Sequence, residues 1–193
     1  HYPLRRQRQM CIRDRLGELV KRHPSKKLYT ASKIPPKNFQ WPAKPEYAFE
    51  ESYPTEHIME YTHKTLKNLG LEQIDLMQFH TWDDGWSDRE EWQRAIEDLK
   101  TSGKVAAMGI SMNRWEPENG IKALKTGLLD AVQVIYNIFD QAPVDNLFPL
   151  CKELDIATIA RVPFDEGTLT GTMTKETTFP EGDWRGTYFV PEN

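Results

Sequence analysis

The fold is decided by Ile74-Asp75-Leu76-Met77-Gln78-Phe79-His80, a largely apolar run that ends in a histidine. A helical pattern over residues 58–69 precedes this run, and a turn-rich stretch over residues 81–88 follows it. An apolar run in that setting is typical of a buried parallel strand. His80 then lies at the carboxyl end of the strand, which is where barrels of alternating strands and helices carry their active sites.

The rest of the chain repeats this alternation. Four more stretches have the composition of strands, at residues 27–33, 104–111, 130–136 and 156–161. Helical spacing appears over residues 54–69, 87–102 and 144–154, with a further helix ending near Gly127, while residues 163–193 are rich in Thr, Gly and Pro and are predicted to form a long loop. Ser87 and Glu90 have the spacing of a capping box. The order strand, helix, strand predicts an α/β fold with a parallel sheet.

Two architectures fit this alternation, an open doubly wound sheet and a (β/α) barrel. No Gly-x-Gly-x-x-Gly motif follows a predicted strand, which counts against the dinucleotide-binding open sheet. A polar residue recurs at each predicted strand end instead: Lys33, His80, Ser111 with Asn113, Gln133 with Asn137, and Arg161. Polar groups converging from several strand ends favour the barrel.

Composition excludes several classes of protein. The chain has 193 residues, a formal net charge of −4 and 11% aromatic residues, which does not suggest a nucleic-acid binder. It contains no run of 18 apolar residues, so no membrane span is expected. Its two cysteines are too few for a disulfide framework and fit a reducing compartment, so a cytoplasmic protein is predicted.

The first 15 residues differ from the rest of the chain. They carry five arginines against one aspartate, and a basic arm is usually an address or a phosphate-binding tail. The string Gln9-Met10-Cys11-Ile12-Arg13-Asp14 resembles translated adapter sequence, however. Residues 1–15 are therefore predicted to be a non-native basic arm, and residues 16–193 to form the folded domain.

Five segments together resemble the aldo-keto reductase family. They are Leu28 to Lys33, Ile74 to His80, Gly103-Lys104-Val105 with Gly109-Ile110-Ser111, Asp130 to Val134, and Pro163 to Gly171. The resemblance runs from about residue 16 to residue 193. It implies a (β/α)8 TIM barrel that reduces aldehydes and ketones with NADPH, NADH being possible. A full barrel needs about 250 residues, so the chain is expected to be an incomplete copy holding the third to seventh of eight strands.

The resemblance also implies roles for particular residues. Lys33 and His80 match the lysine and histidine of the family's catalytic tetrad, whose aspartate and tyrosine are expected upstream of residue 16. The chain alone is therefore expected to be inactive. Ser111, Asn113 and Gln133 match the side chains that hold the nicotinamide carboxamide, although Met112 interrupts the commoner Ser-Asn pair. Arg161 stands where many members have a tyrosine that stacks on the nicotinamide.

Other interpretations of the same residues stay open. The Arg161 guanidinium is also placed to pair with Asp165 or Glu166. Trp82, Trp86 and Phe39 are candidates either for an apolar substrate wall or for general packing. A metal-dependent barrel hydrolase using His80, Asp83 and Asp84, and a non-catalytic regulatory barrel that binds a nicotinamide nucleotide, are the alternatives to a carbonyl reductase. A small carbonyl substrate is the expected partner, without nucleic acid or membrane.

Overall fold

The computed structural model describes residues 2–190, with side chains from residue 12 onward. In that part of the chain a single sheet of five parallel strands runs in chain order. The strands are β1 (Ala31–Ile34), β2 (Ile74–Phe79), β3 (Val105–Ser111), β4 (Ala131–Ile135) and β5 (Ala157–Arg161). Neighbouring parallel strands in chain order, each joined by a crossover, are the repeating unit of a (β/α) barrel, so the prediction of a partial barrel is confirmed.

Helices precede, link and follow the strands. They are α1 (Tyr2–Arg22), α2 (Phe49–Ser52), α3 (Thr55–Leu69), α4 (Glu90–Thr101), α5 (Ile121–Leu124), α6 (Leu147–Glu153) and α7 (Arg185–Tyr188). Among the described residues, no helix is both long and apolar enough to span a bilayer.

The main packing layer lies between the sheet and these helices. Phe79 at the end of β2 contacts the rings of Tyr53, Trp82 and Trp92, with centroid separations of 4.9, 5.4 and 6.5 Å. All four side chains are fully buried. Burying aromatic rings of this size is among the largest single contributions to a core.

Helix α1 is anchored on this layer through its last turns. A Cβ on Gly17 would come within 2.0 Å of the Leu69 carbonyl oxygen, so only glycine permits this approach to α3. The Arg13 guanidinium donates to Ser32 Oγ at 3.2 Å and to Tyr61 Oη at 3.1 Å. The non-native origin of residues 1–15 stays a prediction, and the side chains of residues 1–11 lie outside those described.

Several predicted boundaries are wrong. Strand β1 begins at Ala31 and ends one residue beyond Lys33. Just before it, the backbone N–H of Thr30 donates to the Asp75 carboxylate at 2.7 Å instead of to a neighbouring strand. Helix α4 begins at Glu90, so the capping box is wrong. The Ser87 hydroxyl donates instead to Asp84 Oδ1 at 2.8 Å.

The segment after β5 is less irregular than predicted. It contains a 3₁₀ turn over Asp165–Thr170 and ends in α7. The 3₁₀ turn follows β5 at the carboxyl end of the sheet and brings Glu166 to the cavity described below. The helix predicted to end near Gly127 is confined to the single turn α5.

Candidate active site

Four of the six predicted site residues share one face of the sheet. Strand register places Lys33 beside Gln78, Ser111 beside Gln133, and Ile135 beside Arg161. Paired residues in a sheet point to the same side, and residues two apart on one strand do too. Lys33, Ser111, Gln133 and Arg161 therefore share the face opposite to that of Phe79, which is called the inner face here.

Lys33 is half-buried on the inner face. Burial, and to a smaller extent the positive charge of Arg161, lower the pKa of its ammonium from 10.5 to about 8. No hydrogen bond or ion pair of the amine is found within residues 12–190. A lysine that is partly desolvated and near a second cation gives up its proton more easily than a solvated one, so a larger fraction of it is the neutral amine at neutral pH.

His80 is the first residue after β2. Its backbone N–H donates to the Ile34 carbonyl at 2.9 Å, which continues the pairing with β1. The Trp41 ring meets the imidazole edge-on, with centroids 5.6 Å apart. The main chain thus fixes the start of the loop that carries His80, and Trp41 limits the space on one side of the ring.

Asn113 has a different setting from the other predicted cofactor residues. Its amide nitrogen donates to the Ala43 carbonyl and to Glu116 Oε2, each at 2.9 Å. Its amide oxygen accepts from Thr81 Oγ1 at 2.5 Å and from the Ala43 N–H at 3.1 Å. The side chain therefore ties the proline-rich loop after β1 to the loop after β3.

Ser111 and Gln78 provide unused polar groups on the inner face. The Ser111 hydroxyl is fully buried and has no hydrogen-bond partner among the described residues. The amide nitrogen of Gln78 is buried and unpartnered in the same part of the chain. Unpaired buried polar groups are rare and costly, and they accumulate at functional sites.

Arg161 ends β5 and reaches toward the loop after β3. One of its terminal nitrogens donates to the Met112 carbonyl at 3.2 Å, whereas its Nε is buried without a partner. Burial lowers the pKa of the guanidinium, Glu166 raises it and Arg114 lowers it. No ion pair joins Arg161 to Asp165 or Glu166 among residues 12–190, so that alternative is wrong.

A cavity of about 500 Å³ opens at this end of the sheet. Its wall contains His80, Asn113 and Arg161 of the predicted set, but Lys33, Ser111 and Gln133 do not line it. The remaining lining residues are Trp41, Pro42, Thr81, Met112, Arg114, Trp115, Ile135, Val162 and Glu166. The size is within the range of small-molecule sites.

Sequence reasoning missed the aromatic and basic part of this wall. The Arg114 guanidinium lies 4.1 Å from the ring centroid of Trp115 and 3.9 Å from that of Tyr188. Arg114 and Trp115 directly follow Asn113, so proximity to a predicted site residue was the available signal. Contact with Tyr188 of α7 was not readable, because 73 intervening residues would have to be folded first.

The three aromatic residues predicted as candidates for a substrate wall do not line the cavity. Trp82 and Trp86 are 0% and 4% exposed and pack into the aromatic layer between sheet and helices, so their assignment to a substrate wall is wrong. The ring centroids of Phe39 and Trp41 are 6.3 Å apart, and Phe39 does not line the cavity.

The metal alternative has no support in the geometry. No group of three or more metal-ligating side chains occurs in the described part of the chain. Asp83 accepts hydrogen bonds from the Gly85 N–H and from Asn119, and Asp84 accepts from the Lys122 and Ala123 N–H groups. These carboxylates hold the loop after β2 to the start of α5.

Comparison with known proteins identifies relatives of the chain. A sequence profile of the Aldo/keto reductase family matches residues 12–188. The chain is 34% identical over 126 residues to the aldo-keto reductase YhdN of Bacillus subtilis, covering 65% of this chain and 37% of that protein. It is 31% identical over 124 residues to the NADH-specific methylglyoxal reductase of Escherichia coli, covering 63% and 37%.

A solved structure shows the same fold. The glycerol dehydrogenase of Gluconobacter oxydans superimposes with a TM-score of 0.71 at 25% identity, over 90% of this chain and 52% of that one. The chain thus spans about half the length of this structural relative, and its alignments cover little more than a third of the curated ones. The family profile spans nearly all of the chain, and the chain belongs to the aldo/keto reductase family.

Proposed function

We propose that the protein reduces the carbonyl group of a small aldehyde or ketone, using a reduced nicotinamide nucleotide. The observation that carries this proposal is the meeting of Lys33, Ser111, Gln133 and Arg161 on one sheet face, with His80 at the same end. Family membership supplies the class of reaction. The nucleotide, when bound, supplies the hydride that reduces the carbonyl carbon.

The residues of the chain would bind and orient the reactants. Ser111 and Gln133 are proposed to hydrogen-bond the nicotinamide carboxamide, and the Arg161 guanidinium to lie against the nicotinamide plane. Asn113 has its amide committed to Ala43, Glu116 and Thr81. Its contribution is therefore proposed to be indirect, through the loop that carries Trp41.

Lys33 and His80 are proposed to act on the carbonyl oxygen. Positive charge on Lys33 stabilises negative charge that develops nearby, and His80 orients the carbonyl and relays a proton. A proton donor beside them is needed for fast turnover, and a positioned donor contributes on the order of 10²–10⁴ in rate. No tyrosine lines the cavity within the described residues. We therefore propose that the 193-residue chain alone binds nucleotide but turns over slowly.

The first test is calorimetric titration of the full chain with NADH and with NADPH. Ser111→Ala is expected to weaken binding about tenfold, since one buried hydrogen bond contributes roughly 0.5–1.5 kcal/mol. Ser32→Ala is the matched control. Ser32 also lies in the sheet but on the face toward α1, where its hydroxyl accepts a hydrogen bond from Arg13. Binding unchanged by Ser111→Ala would contradict the proposed carboxamide contact.

The same titrations show whether NADH or NADPH is the preferred nucleotide. The resemblance favours NADPH, whereas the E. coli relative is named as NADH-specific. The cavity wall contains Arg114 in addition to Arg161, and a second cation favours the nucleotide with the extra phosphate. We therefore expect both nucleotides to bind and NADPH to bind more tightly. Equal affinities at several salt concentrations would contradict that preference.

A non-catalytic nucleotide sensor is the second candidate. It is favoured by the same lack of a tyrosine in the described cavity wall. Oxidation of NADPH with methylglyoxal or an aromatic aldehyde separates the two. Tight binding without turnover, both in this chain and in a version extended to the full length of its relatives, would favour the sensor.

A further inference from the structure

His80 has hydrogen-bonded peptide groups on both of its sides. The His80 N–H donates to the Ile34 carbonyl at 2.9 Å, which fixes the peptide plane before the residue. The Thr81 N–H donates to the Tyr53 hydroxyl at 3.1 Å, which fixes the peptide plane after it. Because the orientations of these two planes set the φ and ψ angles of His80, they also set the direction in which its side chain leaves the main chain.

Tyr53 contacts the residues on both sides of His80. Its hydroxyl also donates to the Thr81 carbonyl at 3.1 Å, so one phenol oxygen binds both main-chain groups of Thr81. Its ring meets that of Phe79 with centroids 4.9 Å apart. Tyr53 is fully buried, and burial raises the pKa of its phenol. The hydroxyl therefore stays protonated at neutral pH and keeps its ability to donate.

The Thr81 side chain extends this arrangement to the loop that carries Trp41. Its hydroxyl accepts from the Ala43 N–H at 2.9 Å and donates to the Asn113 amide oxygen at 2.5 Å. Ala43 follows Trp41 by two residues, and the Trp41 ring meets the His80 imidazole edge-on in the cavity wall. A shift of the Thr81 main chain would therefore change the distance between these two rings.

We propose that Tyr53 is the positioning residue of His80, its hydroxyl holding the main chain of Thr81 while its ring holds Phe79. This inference rests on the proposed function, in which His80 orients the carbonyl. Tyr53 does not line the described cavity, so it acts on the reaction through His80. A phenylalanine in its place keeps the ring but leaves two main-chain groups of the buried Thr81 without this partner.

The first measurement uses the wild-type chain and needs no variant to fold. Hydrogen exchange followed by NMR should show the Thr81 N–H exchanging at least about a hundredfold more slowly than in an unstructured peptide. A sample with labelled histidine should give a nuclear Overhauser cross-peak between the ring protons of His80 and Trp41, whose centroids are 5.6 Å apart. The lack of either signal in the folded wild type would overturn the proposal.

Tyr53→Phe tests the hydroxyl directly. The cross-peak between His80 and Trp41 should fall by at least about twofold, because its intensity depends steeply on distance and the Thr81 main chain is no longer held. The ring signals of His63, which is exposed on α3, should stay as in the wild type. A cross-peak of full intensity in the folded variant would overturn the proposal.

Tyr61→Phe is the matched control. It makes the same chemical change on α3, where the Tyr61 hydroxyl accepts from the Arg13 guanidinium at 3.1 Å. It should leave the cross-peak between His80 and Trp41 unchanged. Equal losses of that cross-peak in Tyr61→Phe and Tyr53→Phe would mean that any lost hydroxyl disturbs the site, which would also overturn the proposal.

Kinetics separate positioning from general stability. With NADPH and methylglyoxal, Tyr53→Phe should lower kcat about tenfold and leave the dissociation constant for NADPH within about twofold of that of the wild type. A parallel loss of NADPH affinity would mean a structural defect and would overturn the positioning role. The NMR comparison requires neither nucleotide nor carbonyl compound, so its outcome is separate from that of the calorimetric titrations and turnover assays.

Discussion

The two faces of the sheet differ in how completely their groups are satisfied. On the helix-covered face, Trp92 is fully buried and its indole N–H donates to the Trp86 carbonyl at 2.9 Å. On the inner face, Gln78, Ser111 and Arg161 each keep a buried polar atom without a partner in the described structure. One face is therefore built for stability, and the other carries unpaired groups of the kind that accumulate at functional sites.

The largest effect is expected on the helix-covered face. Trp92→Ala removes a fully buried ring that contacts Trp82 and Phe79, and should lower the free energy of unfolding by about 3–5 kcal/mol. The measurement is urea unfolding followed by circular dichroism. Trp115→Ala is the control, since Trp115 is 61% exposed and should cost under about 1 kcal/mol, mainly by losing its contact with Arg114. Equal decreases in the free energy of unfolding for both variants would contradict the proposed difference in stability between the two faces.

On the inner face, replacing Lys33 should raise the free energy of unfolding at neutral pH rather than lower it. Its pKa is lowered from 10.5 to about 8 in the folded protein, so between those pH values the unfolded chain binds more protons than the folded one. The stability of the wild type should then rise with pH across this window relative to that of Lys33→Met. The variant should therefore be more stable at pH 7, and its advantage should shrink from pH 8 to 10.5.

The measurement is a series of urea titrations of both proteins at fixed ionic strength. Lys64→Met serves as the control for removing a surface charge. An advantage of Lys33→Met that grows with pH would mean that Lys33 has an acidic partner in solution.

A smaller stabilisation is expected at Gln78. Gln78 is 2% exposed, and its amide nitrogen lacks a partner among the described residues. Gln78→Met keeps the shape and removes the unpaired group, and should raise the free energy of unfolding by about 1 kcal/mol. Thermal and urea unfolding check this. Destabilisation instead would show that the amide forms a contact in solution.

The smallest effect is expected on the surface. Arg94 and Glu90 form an ion pair one turn apart on α4, with side chains 75% and 69% exposed. Arg94→Ala should change the free energy of unfolding by less than about 0.5 kcal/mol, because solvated pairs contribute little. A larger change in low salt that persists in high salt would contradict that explanation.

The sequence determined a large part of this description. β2 lies within the run that predicted it, and α3 ends at Leu69 with Gly70 in the left-handed conformation as its cap. The parallel α/β order follows from the spacing of strands and helices. These features are local, since apolar period, glycine and strand length are read within one segment. Because strand ends of a barrel gather at one edge, the sequence also predicted that these polar residues lie at the same end of the sheet.

The tertiary structure alone decided which polar side chains are hydrogen-bonded within the protein and which remain without a partner. Asn113 and Ser111 are two residues apart and were assigned the same role, yet one amide is fully hydrogen-bonded and one hydroxyl has no partner in the described structure. The tryptophans of the cavity proved to be Trp41 and Trp115, whereas Trp82 and Trp86 belong to the core. Such outcomes depend on partners 30 to 70 residues away, and contacts at that separation are absent from any local pattern because only the packed chain brings them together.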